Sequence, residues 1–159
     1  MATTPAKRSW ELTEEKCFKY LLEQLAGIED VTGYQGELPI TVDNASDMNM
    51  WMFEMNGPGA VEPIQVKQAQ KPACSYNMGA MLKGVFADRV TAQQLAGLVM
   101  DALPIGTDEI TGIQRLYYSE MPSLVRSVEP ISRDKSTGGD IRVWLLTIPM
   151  IVVFNNQRS

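Results

Sequence analysis

Apolar residues recur at helical spacing in the first part of the chain. Four of them stand at positions i, i+3, i+4 and i+7: Phe18, Leu21, Leu22 and Leu25. This spacing places them on one face of a helix. Thr13 stands at a capping position with acidic residues after it, and Gly27 is a typical stop. The pattern predicts a first helix that begins near Thr13 and packs this face into the core.

A second helix is predicted after residue 90. Thr91-Ala92-Gln93-Gln94 has the form of a capping box, in which the Thr91 and Gln94 side chains satisfy each other's backbone amides, and Val90 is placed to pack on Leu95. Pro104 ends the helix. The apolar face consists of Leu95, Leu98, Val99 and Ala102.

Strands are predicted where apolar residues alternate or form short runs. In Met48–Met55 the alternation puts Met48, Met50 and Met52 on one side and Trp51 with Phe53 on the other, a pattern that suits core packing or a partner-binding stripe. A short strand is expected at Pro39–Val42. Further strands are predicted at 76–86, with bulges at Gly79 and Gly84, and at 110–118, 123–133 and 141–154.

The last two predicted strands flank the turn signal Ser136-Thr137-Gly138-Gly139-Asp140 and are expected to form a long C-terminal hairpin. Pro130 and Pro149 interrupt them, so each proline should lie at an edge or a bulge, where no ladder amide is needed. The order of elements is helix, strands, helix, strands. It predicts an α+β domain with a mainly antiparallel sheet and two helices packed on it.

The pattern also divides the chain. Residues 1–12 are expected to form a flexible N-terminal arm, residues 13–154 a single α+β domain, and residues 155–159 a short tail. Within the domain, residues 56–72 contain three prolines and two glycines with few apolar side chains. This segment is predicted to be an extended loop or arm, of the kind that becomes ordered against another subunit.

The apolar run at 141–154 raises the question of a membrane anchor. Arg142 and Pro149 bracket it, and its length is below the roughly 17 to 25 residues that a transmembrane helix needs. The N-terminal residues lack the apolar stretch of a secretory signal. The sequence therefore predicts a strand covered on both faces, no membrane partner, and synthesis in the cytoplasm.

Composition narrows the chemistry. The chain has 159 residues, a net charge of −5, two cysteines and no histidine. The acidic balance disfavours specific binding to nucleic acid, because affinity for nucleic acid comes largely from Lys and Arg. The absence of histidine removes Ser-His-Asp and Cys-His nucleophiles and histidine metal sites. Cys17 and Cys74 lack CxxC spacing, so they are interpreted as buried free thiols.

The remaining candidates for chemistry are weak. Two acid pairs, Asp43 with Asp47 and Asp108 with Glu109, lie in polar loops with nothing nearby to shift their pKa values, so solvated turn residues are the preferred interpretation. The run 43–47 starts like a calcium loop but lacks the required glycine and the distal glutamate.

The run 56–59 lacks the lysine of a phosphate loop and is interpreted as a turn. Cys74, near Lys71 and Tyr76, is the one candidate nucleophile, and an inert thiol is the preferred interpretation. The sequence thus predicts no catalytic, cofactor-binding or metal-binding residues and no cofactor.

Two segments resemble tail-terminator (tail-completion) proteins of long-tailed bacteriophages. The first is Gly84-Val85-Phe86-Ala87-Asp88-Arg89 leading into the helix at 91–104, and the second is the closing run 142–154 preceded by a glycine turn. The likeness covers roughly residues 10–154 in the order of elements. It transfers no catalytic residue, so the resemblance implies a virion structural protein without enzyme activity.

The resemblance further implies a homohexameric ring that caps the tail tube and meets the head-side connector, in a protein made in the host cytoplasm and located in the tail or neck of the virion. Its partners would be copies of itself, the tail-tube protein and a neck protein, with DNA passing through the lumen without specific binding. Two alternatives stay open. One is a neck, connector or tail-tube subunit, and the other is a small acidic protein-binding module or inhibitor.

Overall fold

The computed structural model describes residues 7–38, 49–64, 73–107, 109–127, 132–133, 140–141 and 143–156. The two helices are α1 (Ser9–Gln24) and α2 (Arg89–Ala102). The strands are β1 (Thr32–Gln35), β2 (Met50–Glu54), β3 (Gly59–Ile64), β4 (Ala73–Phe86), β5 (Ile105–Gly106), β6 (Ile113–Tyr118), β7 (Ser123–Arg126), β8 (Ser132–Arg133), β9 (Asp140–Ile141) and β10 (Trp144–Asn155). The prediction of an α+β fold with a mostly antiparallel sheet and two helices is confirmed.

Two long strands form the centre of the sheet. β4 and β10 pair antiparallel from Phe86 opposite Trp144 to Ser75 opposite Asn155. On the far side of β4, β2 pairs with one half of the strand and β3 with the other half. On the far side of β10, β7 and β6 divide the strand in the same way.

The sheet therefore has two rows that share β4 and β10. The upper row runs β1-β2-β4-β10-β7, and the lower row runs β3-β4-β10-β6-β5. β1 pairs with β2 in parallel, and the other neighbours in both rows are antiparallel.

Both helices pack on one face of the sheet, which we call the inner face. Cys17 and Leu21 of α1 and Leu95 and Val99 of α2 are buried in one cluster with inward-facing sheet residues such as Leu82. Trp51 is also in this cluster and packs on Phe18 of α1, with their ring centroids 5.5 Å apart. The opposite side, on which no helix of the described residues packs, is the outer face.

The first helix begins earlier than predicted. α1 starts at Ser9, so the expected arm at residues 1–12 overlaps four helical residues, and Thr13 is a buried residue inside the helix rather than its cap. Lys7, just before the helix, pairs with Glu15. Leu22, predicted to face the core, is 43% exposed because it lies at the margin of the buried stripe.

The second helix also begins earlier than predicted. Its N-cap is Asp88, whose Oδ1 accepts the backbone amide of Thr91 at 2.8 Å. Thr91 is thus the residue that is capped and not the cap. Val90 is 62% exposed, so the predicted contact of Val90 on Leu95 does not anchor the helix.

The segment predicted as a loop at 56–72 contains a strand. β3 pairs with Ala73–Met78 of β4 in an antiparallel ladder of six residue pairs. The loop prediction rested on proline and glycine content, and an edge strand tolerates Pro63 because one side of it needs no ladder amide. Residues 65–72 lie outside the described part of the chain.

The strand β4 confirms the prediction at 76–86 and extends it to Ala73. The predicted bulges at Gly79 and Gly84 are wrong, because the register between β4 and β10 continues unbroken through both. The irregularity lies instead between Val153 and Phe154, where β10 pairs with β6.

The long C-terminal hairpin is not confirmed as one element. β7 pairs with the first four residues of β10, and β8 pairs with β9 in a separate two-residue ladder. The predicted strand at Pro39–Val42 and Pro130 lie outside the described residues. Asn155, expected in the tail, is the last residue of β10.

The prediction that Pro149 lies at an edge or a bulge is wrong, because it lies inside the central strand β10. Its carbonyl accepts the amide of Ser119 at 2.9 Å, so its own nitrogen also points to the side of β6 and β7. The ladder with β7 ends at Thr147 and the ladder with β6 begins at Met150. Pro149 therefore falls in the gap between two strands, where its missing amide costs no ladder bond.

Candidate assembly surface

The two thiols do not form a reactive site. Cys17 is fully buried, and burial raises the pKa of its thiol to about 12, so it stays protonated and unreactive at neutral pH. Cys74 is a half-buried residue of β4. Lys71, the expected neighbour of Cys74, lies outside the described residues.

The predicted acid pairs gain no catalytic geometry among the described residues. Glu109 is exposed, and its Oε2 accepts the backbone amide of Gly106 at 3.1 Å, so it closes a local turn. Asp43, Asp47 and Asp108 lie outside the described residues. In the described part of the chain, no group of three or more His, Cys, Asp or Glu residues is arranged to hold a metal ion.

The run Asn56–Gly59 is a turn with a structural purpose. The Gly57 amide donates to the Gly79 carbonyl at 3.0 Å, and the Gly79 amide donates to the Pro58 carbonyl at 3.2 Å. A Cβ on Gly57 would lie 2.9 Å from the Cα of Gly79, so only glycine permits this approach. The turn carries the chain from β2 to β3 along the same side of β4.

The outer face of the sheet carries the most distinctive surface of the molecule. The ladder registers place alternate residues of the central strands on it. Polar residues such as Asn77, Ser123 and Thr147 are among them, and eight members are apolar and not fully buried: Met81, Val85, Tyr117, Val125, Leu145, Pro149, Ile151 and Val153. Val125 is 56% exposed and Leu145 is 39% exposed, and the others are half-buried. Among the described residues, no helix covers this face.

The methionine stripe of β2 lies on the same face but is closed to solvent. Met50 pairs with Val85 and Met52 with Lys83, which places both methionines on the outer face. Each is buried. Neither methionine belongs to the buried cluster on the inner face, so their burial does not decide between the two interpretations of this pattern, and Met48 lies outside the described part.

Charged side chains on the outer face are few and partnered. Lys83 Nζ lies 3.2 Å from Glu54 Oε1, and both side chains come from neighbouring strands. The Arg115 guanidinium lies 4.5 Å from the centre of the Tyr117 ring. The apolar part of this face is therefore interrupted by few charges, as is typical of surfaces that contact other proteins.

A groove of about 590 Å³ crosses the middle of the outer face. Gly79, Met81, Pro149 and Ile151 lie along its length, and the turn after β2 and the turn at Ser119–Glu120 line its two ends. It sits where β3 replaces β2 on one side and β7 replaces β6 on the other. The groove is thus a direct result of the two-row architecture.

A second concave surface lies on the inner face beside the start of α1. It has a volume of about 370 Å³, and Arg8, Trp10, Tyr76 and Phe154 contribute to its lining. Trp10 is 48% exposed, and the rings of Tyr76 and Phe154 pack 5.2 Å apart. This cleft provides an aromatic surface at one end of the sheet. The first turn of α2 lies at the other end.

The apolar run at 141–154 indicated a strand that needs cover on both faces, but it did not indicate which face lacks a helix. The signal was present in β10, where both alternating sets of side chains are largely apolar. Leu146, Ile148 and Val152 are the buried set, and Leu145, Ile151 and Val153 form the partly exposed set. Only the placement of the helices distinguishes the two.

No helix among the described residues is long and apolar enough to cross a membrane. The sequence matches no protein-family model. It also has no significant match to a curated protein.

Proposed function

We propose that this protein is a virion structural subunit, a tail terminator that forms a ring, caps the tail tube and joins it to the head-side connector. The observation that carries the proposal is the apolar outer face of the sheet. Exposed apolar patches on soluble proteins commonly mark contacts with other proteins. Here the patch is built on the rigid central strands, so it is available without any rearrangement of the fold.

The nature of the assembly comes from the sequence resemblance to phage tail terminators in the segments 84–104 and 142–154. Those segments correspond in the fold to the end of β4 with α2 and to β10. Both are central to the domain, because β4 and β10 form the middle of the sheet. The resemblance therefore concerns the frame of the domain and supports a shared architecture of the subunit.

A structural role in place of a catalytic one accords with the side chains at hand. The thiol of Cys17 is protonated and buried, and Glu109, one of the candidate acids, closes a local turn. The net charge of −5 suits a ring through which DNA slides, since like charge keeps the phosphate backbone from adhering to the subunits. We place the protein in the tail or neck of the virion.

The proposal is tested by the mass of the purified protein and by its effect on tail tubes. Light scattering over a concentration series, with and without purified tubes, should show a species near six subunits or a ring that forms on the tubes. Electron microscopy should show tubes of fixed length when the protein is present. A monomer that ignores tubes at every concentration would refute the terminator and favour a small binding module.

A matched pair of variants tests the outer face. Leu145→Asp places a charge on the outer face, and Leu22→Asp places one on a similarly exposed position of α1. We expect Leu145→Asp to lose tube capping or ring formation, while Leu22→Asp keeps both. Equal behaviour of the two variants would show that the outer face takes no part in assembly.

A further inference from the structure

The five strands of the upper row align in a common register. Thr32 of β1 lies level with Met50, Val85 and Leu145, and at the other end of this line stands Val125 of β7. The next line down runs from Gly33 of β1 to Leu124 of β7 through the same intermediate strands. The two outermost strands, β1 and β7, are therefore at the same height on opposite sides of the sheet, and each has four residues.

Each outermost strand has one open edge within the described residues. In β1, the amides of Thr32 and Gly36 donate toward β2, to Asn49 and Phe53, so the backbone groups of Gly33 point away from the sheet. In β7, the Ser127 amide donates to Val143 at 2.8 Å. By the alternation of an antiparallel ladder, the backbone groups of Leu124 and Arg126 point away from β10.

The two open edges complement each other. β1 and β7 run in opposite directions, because β1 is parallel to β2 and every further step to β7 is antiparallel. A second copy placed beside the first in the same orientation thus brings its β1 antiparallel to β7. At equal height, Gly33 of the second copy faces Leu124, so two backbones that point outward meet and exchange hydrogen bonds.

We propose that copies of this protein join edge to edge, with β7 of one copy paired antiparallel to β1 of the next, so that the upper rows form one continuous sheet. Val125 then lies opposite Thr32 of the next copy on the outer face. This contact covers part of the Val125 side chain, one of the most exposed apolar groups of the described surface. The inner faces of neighbouring copies lie on the same side of this continuous sheet, so the helices of all copies lie on that side.

Charges at the upper end of this contact are complementary. Arg126 is exposed and lies level with Val31 of the next copy, which follows the exposed acids Glu29 and Asp30. Asp30 and Glu29 are the first and second residues before Val31, in the turn that leads into β1, where Asp30 has a φ of 57°. The guanidinium of Arg126 then lies on the side of the contact where the next copy carries these two carboxylates, and this opposite charge favours the head-to-tail arrangement.

The contact joins two different surfaces, so repetition gives either a closed ring or an open filament. Because both edges lie at one height, successive copies need no displacement along the strands, which favours closure. The closed form rests on the proposed function as a ring. The pairing of β7 with β1 does not rest on the proposed function, and it is measured separately from tube capping.

A designed disulfide tests the pairing directly. In the proposed register Thr32 and Val125 of neighbouring copies form a pair without hydrogen bonds, in which side chains are closest, so Thr32→Cys with Val125→Cys should cross-link on mild oxidation with diamide. Within one copy the two positions are four strand spacings apart, about 19 Å, too far for a disulfide. Cys74→Ser in the background removes the half-buried native thiol. A ladder of covalent oligomers on a non-reducing gel supports the contact.

Two controls define the result. Thr32→Cys or Val125→Cys alone should not give oligomers beyond a dimer, because each copy then has one new thiol. Lys83→Cys with Thr32→Cys keeps two exposed thiols but moves one away from the edge. If the Thr32–Val125 variant stays monomeric under oxidation, or cross-links no better than the Lys83 control, the proposed pairing is overturned.

A second set of variants tests the edge and its charges by light scattering. Arg126→Pro removes an outward amide without touching the ladder to β10 and should raise the concentration needed for assembly by about tenfold or more. Arg126→Glu should weaken assembly, and adding Glu29→Arg should restore it. Arg8→Glu, an exposed arginine before α1 that lies beside the inner-face cleft and away from β1, β7 and the outer face, is the matched control. Assembly of Arg126→Pro at the wild-type concentration would place the contact elsewhere while leaving the terminator proposal intact.

Discussion

Glu14 of α1 accepts the backbone amide of Met55, with 3.0 Å between the amide nitrogen and Oε2. Met55 is buried and directly follows β2. The other carboxylate oxygen, Oε1, accepts the side-chain amide of Gln35 at the end of β1, at 3.3 Å. One side chain thus ties the first helix to the ends of two parallel strands, at the point where the chain leaves the sheet for the turn before β3.

This relationship predicts that Glu14 contributes to stability. Glu14→Ala leaves the Met55 amide without its acceptor in a partly buried position, which costs about 1 to 3 kcal/mol of the free energy of unfolding. Urea unfolding followed by circular dichroism measures the loss. Glu11→Ala, at an exposed position of the same helix, is the control and should change stability by less than about 0.5 kcal/mol. Equal effects at both positions would contradict the structural role of Glu14.

Alanine is expected to have opposite effects on stability when it replaces a glycine of the sheet and a glycine of α2. A Cβ at Gly33 would lie 2.5 Å from the buried Trp51 ring and 3.1 Å from Leu22, so Gly33→Ala should destabilise the fold by about 1 to 3 kcal/mol. A Cβ at Gly97 in α2 meets nothing within 4 Å. Gly97→Ala should therefore stabilise by about 0.5 to 1 kcal/mol through helix propensity. Thermal unfolding of the two variants checks both signs.

The Asp88 cap of α2 is expected to contribute to stability in a pH-dependent way. Hydrogen bonds from the backbone amide and hydroxyl of Thr91 hold the pKa of Asp88 below its usual value. The stabilisation is complete above the ordinary carboxyl pKa and is lost as the pH falls through the lowered folded value. At neutral pH, Asp88→Ala should cost about 1 kcal/mol.

Asp88→Asn separates the cap from its charge, because asparagine caps well but does not titrate. We expect this variant to keep most of the helix stability at neutral pH and to lose the part of the acid dependence that Asp88 contributes. Unfolding curves from neutral to strongly acidic pH distinguish the three proteins. An acid profile of Asp88→Asn identical to that of the wild type would contradict a titrating cap.

The two cysteines predict a difference in thiol reactivity. Cys17 is fully buried with its pKa raised to about 12, whereas Cys74 is half-buried. A thiol reagent should therefore label Cys74 of the folded protein and leave Cys17 unmodified until the protein unfolds. Mass spectrometry after labelling, with Cys74→Ser as the control, measures this. Rapid labelling of Cys17 in the native protein would be inconsistent with its burial.

Local sequence patterns were sufficient for the helices but not for their first residues. Asp88 and Thr91 are both good caps, and only the tertiary position of the chain after β4 decides in favour of Asp88. Leu22 shows the same limit for a helix face. It fits the apolar spacing, but the stripe that meets the sheet passes through Cys17, Leu21 and Leu25 and leaves Leu22 at its margin.

The sheet depended on contacts between distant parts of the chain, which composition does not reveal. β3 lies in a segment with the prolines and glycines of a loop, and it becomes a strand because β4 extends beyond β2 and offers it a partner. The parallel pairing of β1 with β2 has no signature in either segment. The outer face likewise follows from the side on which α1 and α2 pack, and not from the alternation in β10 itself.

The sharing of β4 and β10 by both rows has a consequence for cooperativity. Neither row has a set of central strands of its own, so unfolding of β4 or β10 disrupts both rows at once. We expect a single unfolding transition, with the amides of the two shared strands exchanging with solvent last. A partly folded copy would then present neither of its open edges, and only completely folded subunits would enter an assembly.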